Sequence, residues 1–290
     1  MRRPEASPKA ASAKWVIAFF VVTYTLTGLL WLPILRSGQS PSKLSNRLEL
    51  FLLLATIAPS AVAIILSAIE NGGAGVGELL GQFGRWKFGG GWYTYAILVA
   101  PLIAVIVLLV SQAMGGHAPA PAAPLQFLIP LAPLGEELGW RGYALPRLQR
   151  RMPALSAALV IGVIWACWHL PYFAFPDVHP LVFWIGFPLF AAVIIAESVL
   201  ATWLYNSTRG SVLATFIFHW SITAGSVIPV VPGVAAAIVA AIINLVAAAC
   251  GVVLGGISLK GFRSAAADNR VVGPGLPYSP APTGSSRKST

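Results

Sequence analysis

The sequence predicts an all-α, polytopic integral membrane protein with about eight transmembrane helices. Three observations carry that expectation. Of the 290 residues, 57% are hydrophobic and only 10% are charged, whereas a soluble domain carries about 25% charged residues to coat its surface. Several apolar runs reach or exceed the ~20 residues that a helix needs to cross the hydrocarbon core. Finally, Lys and Arg gather at the ends of those runs and on alternate sides of them.

The spans follow in order. Met1–Ala13 is polar and basic and reads as a cytoplasmic tail. Trp15–Leu35 is longer than the 7–15 residues of a signal-peptide core and lacks a small-x-small cleavage site, so it reads as a retained first span. The next spans are Leu48–Ile69, Trp92–Met114, Leu125 to about Gly139, Leu155–Phe173, Leu181–Leu204, Val212–Val227 and Val234–Leu259. A transmembrane domain over residues 14–260 results. Between spans two and three, the glycine-rich Asn71–Gly91 reads as a connector lying on the membrane surface through Leu79, Leu80, Phe83 and Trp86. His117–Pro124 reads as an external Ala/Pro loop, and the Pro-, Ser- and Gly-rich Ser264–Thr290 as a disordered cytoplasmic tail that cannot bury a core. No internal repeat stands out, which argues against an inverted-repeat transporter.

With the N-terminus inside, every Lys and Arg except Arg36, Lys43 and Arg47 falls on the cytoplasmic side. So skewed a distribution fixes orientation and favours an even number of spans, with both termini cytoplasmic. The formal net charge of +10 therefore reflects topology and anionic headgroups. No basic stripe with interleaved aromatics is present, so nucleic acid is excluded as a partner. Cys167 and Cys250 both lie in apolar runs and offer neither a disulfide framework nor a CxxC metal site. Arg outnumbers Lys 13 to 6 amid abundant Ala, Gly and Pro, a weak pointer to a GC-rich bacterial genome and hence to a bacterial plasma membrane.

Chemistry is sought where polarity is expensive. A charge at the bilayer centre costs about 2.5–3.5 kcal/mol on insertion scales and usually marks function or a paired structural site. The first such cluster is Glu136-Glu137-x-x-x-Arg141 at the inner end of span four. Pro130 and Pro133 remove backbone donors and predict a kink there. Glu137 and Arg141, four apart, share a helix face. Glu136 points about 100° away. Arg141 then neutralises Glu137 and leaves Glu136 as a general base for water. A salt-bridge cluster capping a helix end explains the same residues equally well.

The second cluster places His169 four residues after Trp165, and the third places Thr223 four after His219. His219 and Thr223 could donate together to an oxyanion; plain interhelical hydrogen bonding is the structural alternative. HExxH is absent, although Glu136, His169 and His219 have the residue types of a two-His, one-Glu zinc site. Metal-free activation of water fits the same residue types.

Glu136-Glu137-x-x-x-Arg141, Trp165-x-x-x-His169 and His219-x-x-x-Thr223 occur in that order on separate spans. This arrangement resembles the CAAX-protease and bacteriocin-processing (CPBP, or Abi) family of intramembrane glutamate endopeptidases, whose pattern is EExxxR, FxxxH and Hxxx(N/D). The likeness extends over about residues 92–225 and includes Trp203-Leu-Tyr-Asn206. It implies an intramembrane catalytic cavity in which Glu136 and His169 activate the attacking water. His219 and the residue four later would stabilise the oxyanion, while Glu137 and Arg141 hold the motif helix. It also implies lipidated or hydrophobic peptide substrates drawn from the bilayer, with membrane lipid as the surrounding partner. No cofactor is firmly implied, and zinc is left open. Two residues depart from the pattern: Trp165 replaces Phe, and Thr223 replaces Asn or Asp. The second departure keeps a catalytically weak or inactive scaffold of the same fold in contention. A proton-coupled transporter using Glu136, Glu197 and His169 is the remaining alternative.

One geometric tension accompanies this expectation. At 1.5 Å per residue, Glu136 lies roughly 16 Å below the outer start of span four, while His169 lies roughly 21 Å above the inner start of span five. They meet only if span four is broken or span five begins deeper. Glu197 reads as a further intramembrane acid, Asn206 as a cap of span six, Asn244 as an interhelical hydrogen-bonder, and Asp177 and His179 as solvated loop residues.

Overall fold

The computed structural model describes residues 8–39, 43–113, 132–175, 182–226 and 234–258. Residues 1–7, the His117–Pro124 loop, the outer part of span four, Asp177, His179 and the Ser264–Thr290 tail lie outside the described residues. Helices α1 (Pro8–Arg36), α2 (Asn46–Gly81) and α3 (Gly90–Ala113) come first. Then α4 (Ala132–Glu137) runs into a π-helical segment, Leu138–Ala144, and on into α5 (Leu145–Gln149). The chain continues through α6 (Ala154–Trp168), α7 (Phe187–Ser207), α8 (Val212–Ser226) and α9 (Val234–Ser258). No strand occurs among the described residues.

Five helical stretches are long and apolar enough to cross a membrane: Ala13–Arg36, Asn46–Gly81, Gly90–Val110, Ala154–Ala174 and Phe183–Ser207. Their outward faces carry exposed Ile17, Leu29, Leu53, Ile65, Leu102 and Leu109. In water such a surface would aggregate; in lipid it is the expected solvent-facing side. The protein is an all-α integral membrane protein.

Beside a smaller cluster of Trp31, Ile34, Leu48, Ala55 and Phe175, two larger interior clusters hold the bundle together. One is aromatic, built from Phe19, Trp140, Tyr143, Trp165 and Trp168 with Leu145 and Ile161. The other joins α3, α6, α7, α8 and α9 through Ala96, Ala158, Ala196, Ala201, Ala214 and Ala248. Lipid tails are as apolar as leucine, so close backbone approach through small residues, rather than hydrophobic burial, must hold these helices.

The Asn71–Gly91 connector departs from the sequence expectation. Helix α2 breaks at Asn71 (φ −140°, ψ 19°) and Gly72 (φ 58°, ψ −148°), then resumes to Gly81. Glycine tolerates that positive φ without a Cβ clash. Leu79 is buried in the aromatic core, and Phe83 packs on Phe216 with ring centroids 5.6 Å apart. Only Leu80 and Trp86 are left exposed, so the connector docks on the bundle rather than lying wholly in the headgroups. Asn206 also differs. Its side chain is buried without capping the helix, and the Thr208 hydroxyl donates to the Leu204 carbonyl at 2.7 Å instead.

Candidate active site

The segment carrying the glutamate pair is buried along nearly its whole length. Its entry is set by glycines. A Cβ on Gly135 would sit 2.7 Å from the Ile57 Cα, and one on Gly139 would sit 2.7 Å from the Pro59 carbonyl oxygen. Helix α4 thus lies directly on the α2 backbone, and the Ser60 hydroxyl donates to the Leu134 carbonyl at 3.0 Å across the seam.

A change of helical register is present just after the glutamate pair. Pro133 falls within α4, and Pro130 lies outside the described residues. The register changes over Leu138–Ala144, where the Leu145 N–H reaches back five residues to the Trp140 carbonyl. The proline with consequences here is Pro146, four residues after Gly142. It has no N–H for the Gly142 carbonyl, and a proline ring crowds the carbonyl four residues before it. A wider turn relieves the crowding.

Within this frame the two glutamates receive different partners. The Glu136 Oε2 accepts from the Trp165 indole N–H at 2.7 Å and from the Trp140 indole N–H at 3.3 Å. The Glu137 Oε1 accepts from Arg141 Nη1 at 2.6 Å and lies 2.9 Å from His219 Nδ1. Trp165 stands between the pair. It donates to Glu136, the Arg141 guanidinium lies 4.5 Å from its ring centroid, and the His219 ring packs edge-on at 4.9 Å.

His169 occupies the C-cap of α6, where the chain passes into a 3₁₀ turn over Leu170–Ala174. Pro171 cannot continue the helical ladder, which explains the change. The His169 Nδ1 lies 2.9 Å from the Trp165 carbonyl. A carbonyl only accepts, so Nδ1 carries the proton and Nε2 of the neutral ring presents a lone pair. Trp168 and Phe190 pack against the ring at 4.9 and 5.2 Å. The depth tension between spans four and five disappears: the Trp165–Glu136 bond sets Glu136 level with the turn of α6 that precedes His169.

Helix α8 supplies His219 and Thr223. The Thr223 hydroxyl lies 3.0 Å from the His219 carbonyl, to which it donates. Glu197 is buried on α7 within electrostatic reach of His219 and Arg141, so it faces the same cluster. The structure thus brings Glu136, Glu137, Arg141, His169 and His219 together from three parts of the chain.

Several residues at the site were not singled out from sequence. Trp140 follows Glu136 by four, a spacing that could have revealed it. Tyr172, three residues after His169, lies within electrostatic reach of Glu136 and close to Thr56. Glu70 accepts from both Tyr143 and Arg147, the latter at 2.7 Å, and so fastens the π segment to the α2 break. Nothing in the sequence spacing links residue 70 to residues 143 and 147.

The residue types of Glu136, His169 and His219 leave zinc open as a ligand. Among the described residues no three His, Cys, Asp or Glu side chains converge at ligand spacing. One Glu136 oxygen is moreover faced by two indole hydrogens, a positive environment that opposes a cation on that oxygen.

Comparison with known proteins agrees with the ordered motifs. Residues 118–225 match the family described as Rce1-like type II CAAX prenyl endopeptidase, and this stretch contains every residue of the cluster except those on α2. A CAAX prenyl protease 2 from Methanococcus maripaludis is 25% identical over 221 residues, covering 70% of this chain and 81% of the relative. With EExxxR, the aromatic-x-x-x-His motif and the later intramembrane histidine meeting at one site, residues 118–225 are similar to the CAAX-protease and bacteriocin-processing family.

Proposed function

We propose that this protein is an intramembrane endopeptidase that hydrolyses a peptide bond in lipidated or hydrophobic substrates, with Glu136 as the general base. The observation that carries this reading is the contrast in partners: Glu137 is locked by Arg141 and His219, whereas Glu136 is oriented, among the described residues, through one oxygen by neutral indole N–H groups. A carboxylate so held keeps basic lone pairs for water.

In the reaction, Glu136 takes a proton from water while His169 Nε2 accepts a hydrogen bond from it and orients its attack. The C–O bond forms and the carbonyl oxygen becomes an oxyanion. His219, in its doubly protonated form, donates Nδ1–H to Glu137 and Nε2–H to that oxyanion. Collapse breaks the C–N bond, and the proton held by Glu136 passes to the leaving amine. The substrate class follows that named for the archaeal relative and its family, extended to hydrophobic peptides in general. The arginine-bearing end of the bundle is assigned to the cytoplasm, with both termini there, in a bacterial plasma membrane.

The test is cleavage of prenylated CAAX peptides and a hydrophobic-peptide pool by purified protein in liposomes. Wild type and Glu136→Gln run side by side, with and without a zinc chelator. Cleavage that needs Glu136 and survives chelation is expected. Full activity in Glu136→Gln removes the base assignment, and chelator-sensitive cleavage replaces it with a metal mechanism.

One observation favours a second reading, a scaffold of the same fold. The Thr223 hydroxyl donates to the His219 carbonyl, so that proton is engaged where an amide or acid donor is usual in the family. Product from neither wild type nor mutant, on every substrate tried, puts this reading first.

A further inference from the structure

The glutamate pair and His219 lie on different helices, and the Glu137–His219 contact of 2.9 Å requires those helices to hold a fixed relative position. At the arginine-bearing end, one residue joins both, through its side chain on the π segment and its backbone carbonyl on α8. Gln82 caps the C-terminus of α2 and is buried, 7% exposed. Its amide Nε2 donates to the Gly142 carbonyl at 3.0 Å, inside the π segment. Its backbone carbonyl accepts from the Val212 N–H at 3.1 Å, at the first residue of α8. Its Oε1 accepts from the Tyr205 hydroxyl of α7 at 2.7 Å.

The Gly142 carbonyl is the group stranded by Pro146, which has no N–H to offer it. A buried unmade hydrogen bond costs about 1–3 kcal/mol, and the Gln82 amide supplies this carbonyl with a donor from the end of α2. The amide orientation is forced as well: Gly142 offers only an acceptor, so the nitrogen faces it and the oxygen receives Tyr205. Gly142 itself is wedged between Leu79 and Val212, whose side-chain atoms would lie 3.1 and 3.3 Å from a Cβ placed there.

Resting on the hydrolytic reading above, we propose that Gln82 is a positioning residue: clamped by Tyr205, it ties the π segment to the start of α8 and so sets Glu137 against His219. Gly142 lies five residues beyond Glu137, and Val212 seven before His219. Displacing either anchor shifts one partner of that contact relative to the other. A misplacement of about 1 Å at catalytic groups can cost on the order of 100-fold in rate.

The experiment uses full-length protein, labelled with ¹⁵N-histidine and reconstituted in nanodiscs, with His219→Gln identifying the His219 resonances. Wild type is compared with Gln82→Leu, with Gln82→Glu, which keeps the shape and the acceptor for Tyr205 but has no donor for Gly142, and with Tyr205→Phe. The expected wild-type signature is a far-downfield Nδ1 proton on His219, bonded to the Glu137 carboxylate. That signal should move upfield or broaden in both Gln82 variants and change less in Tyr205→Phe. In parallel, kcat on the prenylated peptide should fall between about 10- and 100-fold with KM within about twofold. An unchanged His219 signal in Gln82→Glu and Gln82→Leu, beside a lowered melting temperature, would make Gln82 merely structural and overturn the proposal. If Gln82→Leu does not fold, Gln82→Glu and Tyr205→Phe decide it. The NMR arm reads the contact without turnover, so absence of hydrolysis in wild type sinks the hydrolytic reading while leaving the positioning result to stand or fall separately.

Discussion

Glu136 and Glu137 are chain neighbours with the same side chain, yet they live in different chemistry. Glu137 is fully buried against a guanidinium and an imidazole. Glu136 is held by two neutral indoles. A helix turns by about 100° per residue, so consecutive positions meet different neighbours, and the neighbours rather than the residue type divide the work. Charged partners hold a carboxylate in place by occupying it; neutral dipoles aim it and leave it able to take a proton.

The sharpest break of this contrast is paired neutralisation. Glu136→Gln should abolish cleavage, a loss of at least about 10²–10⁴ in kcat for a general base, while the melting temperature in detergent stays within a few degrees. His169→Ala should behave alike. Arg141→Met should act the other way round. It leaves the buried Glu137 without its guanidinium, and breaking a buried pair from one side costs about 3–5 kcal/mol. Thermal unfolding monitored by circular dichroism should show a large drop even where no substrate is present. A stable Arg141→Met protein would mean that His219 alone suffices to hold Glu137.

The next effect concerns the residue between the glutamates. Trp165→Phe restores the aromatic usual in the family but removes the N–H bonded to Glu136 at 2.7 Å. Hydrogen bonds to charged groups contribute about 1.5–3 kcal/mol. Ring packing on Arg141 and His219 survives, so the loss should appear in kcat, by about tenfold, more than in stability. Equal losses in kcat and melting temperature would show that the indole serves packing rather than aim.

The contrast also marks what could be read in advance. Apolar run length located the five long apolar helices, and i,i+4 spacing paired Glu137 with Arg141, because both signals are local in the chain. The π segment was not legible, since it depends on Pro146 and on a donor sixty residues away in Gln82. The docking of Leu79 and Phe83 was missed because a glycine-rich stretch looks like a linker until its neighbours are known. Glu70 meeting Arg147 belongs to the same class: a contact between distant positions that no periodicity announces.

The smallest effect expected is at Thr223. Its hydroxyl donates to the His219 carbonyl four residues earlier, a common way for threonine to satisfy itself inside an apolar helix. Asn at the same position is longer, and its amide can present an N–H beyond the helix backbone toward an oxyanion bound by His219. Removing one oxyanion donor costs about 10²–10³ in kcat elsewhere, but His219 already supplies one here, and helix α8 must bear a bulkier polar group in lipid. Thr223→Asn should therefore raise kcat modestly, by up to about tenfold, or leave it unchanged, with KM steady, in the liposome assay. A large loss would mean that the threonine hydroxyl holds His219 in place through its own backbone. In that event the site would rely on His219 and on donors from outside α8, and the departure from Asn or Asp would be a working solution rather than a drift from function.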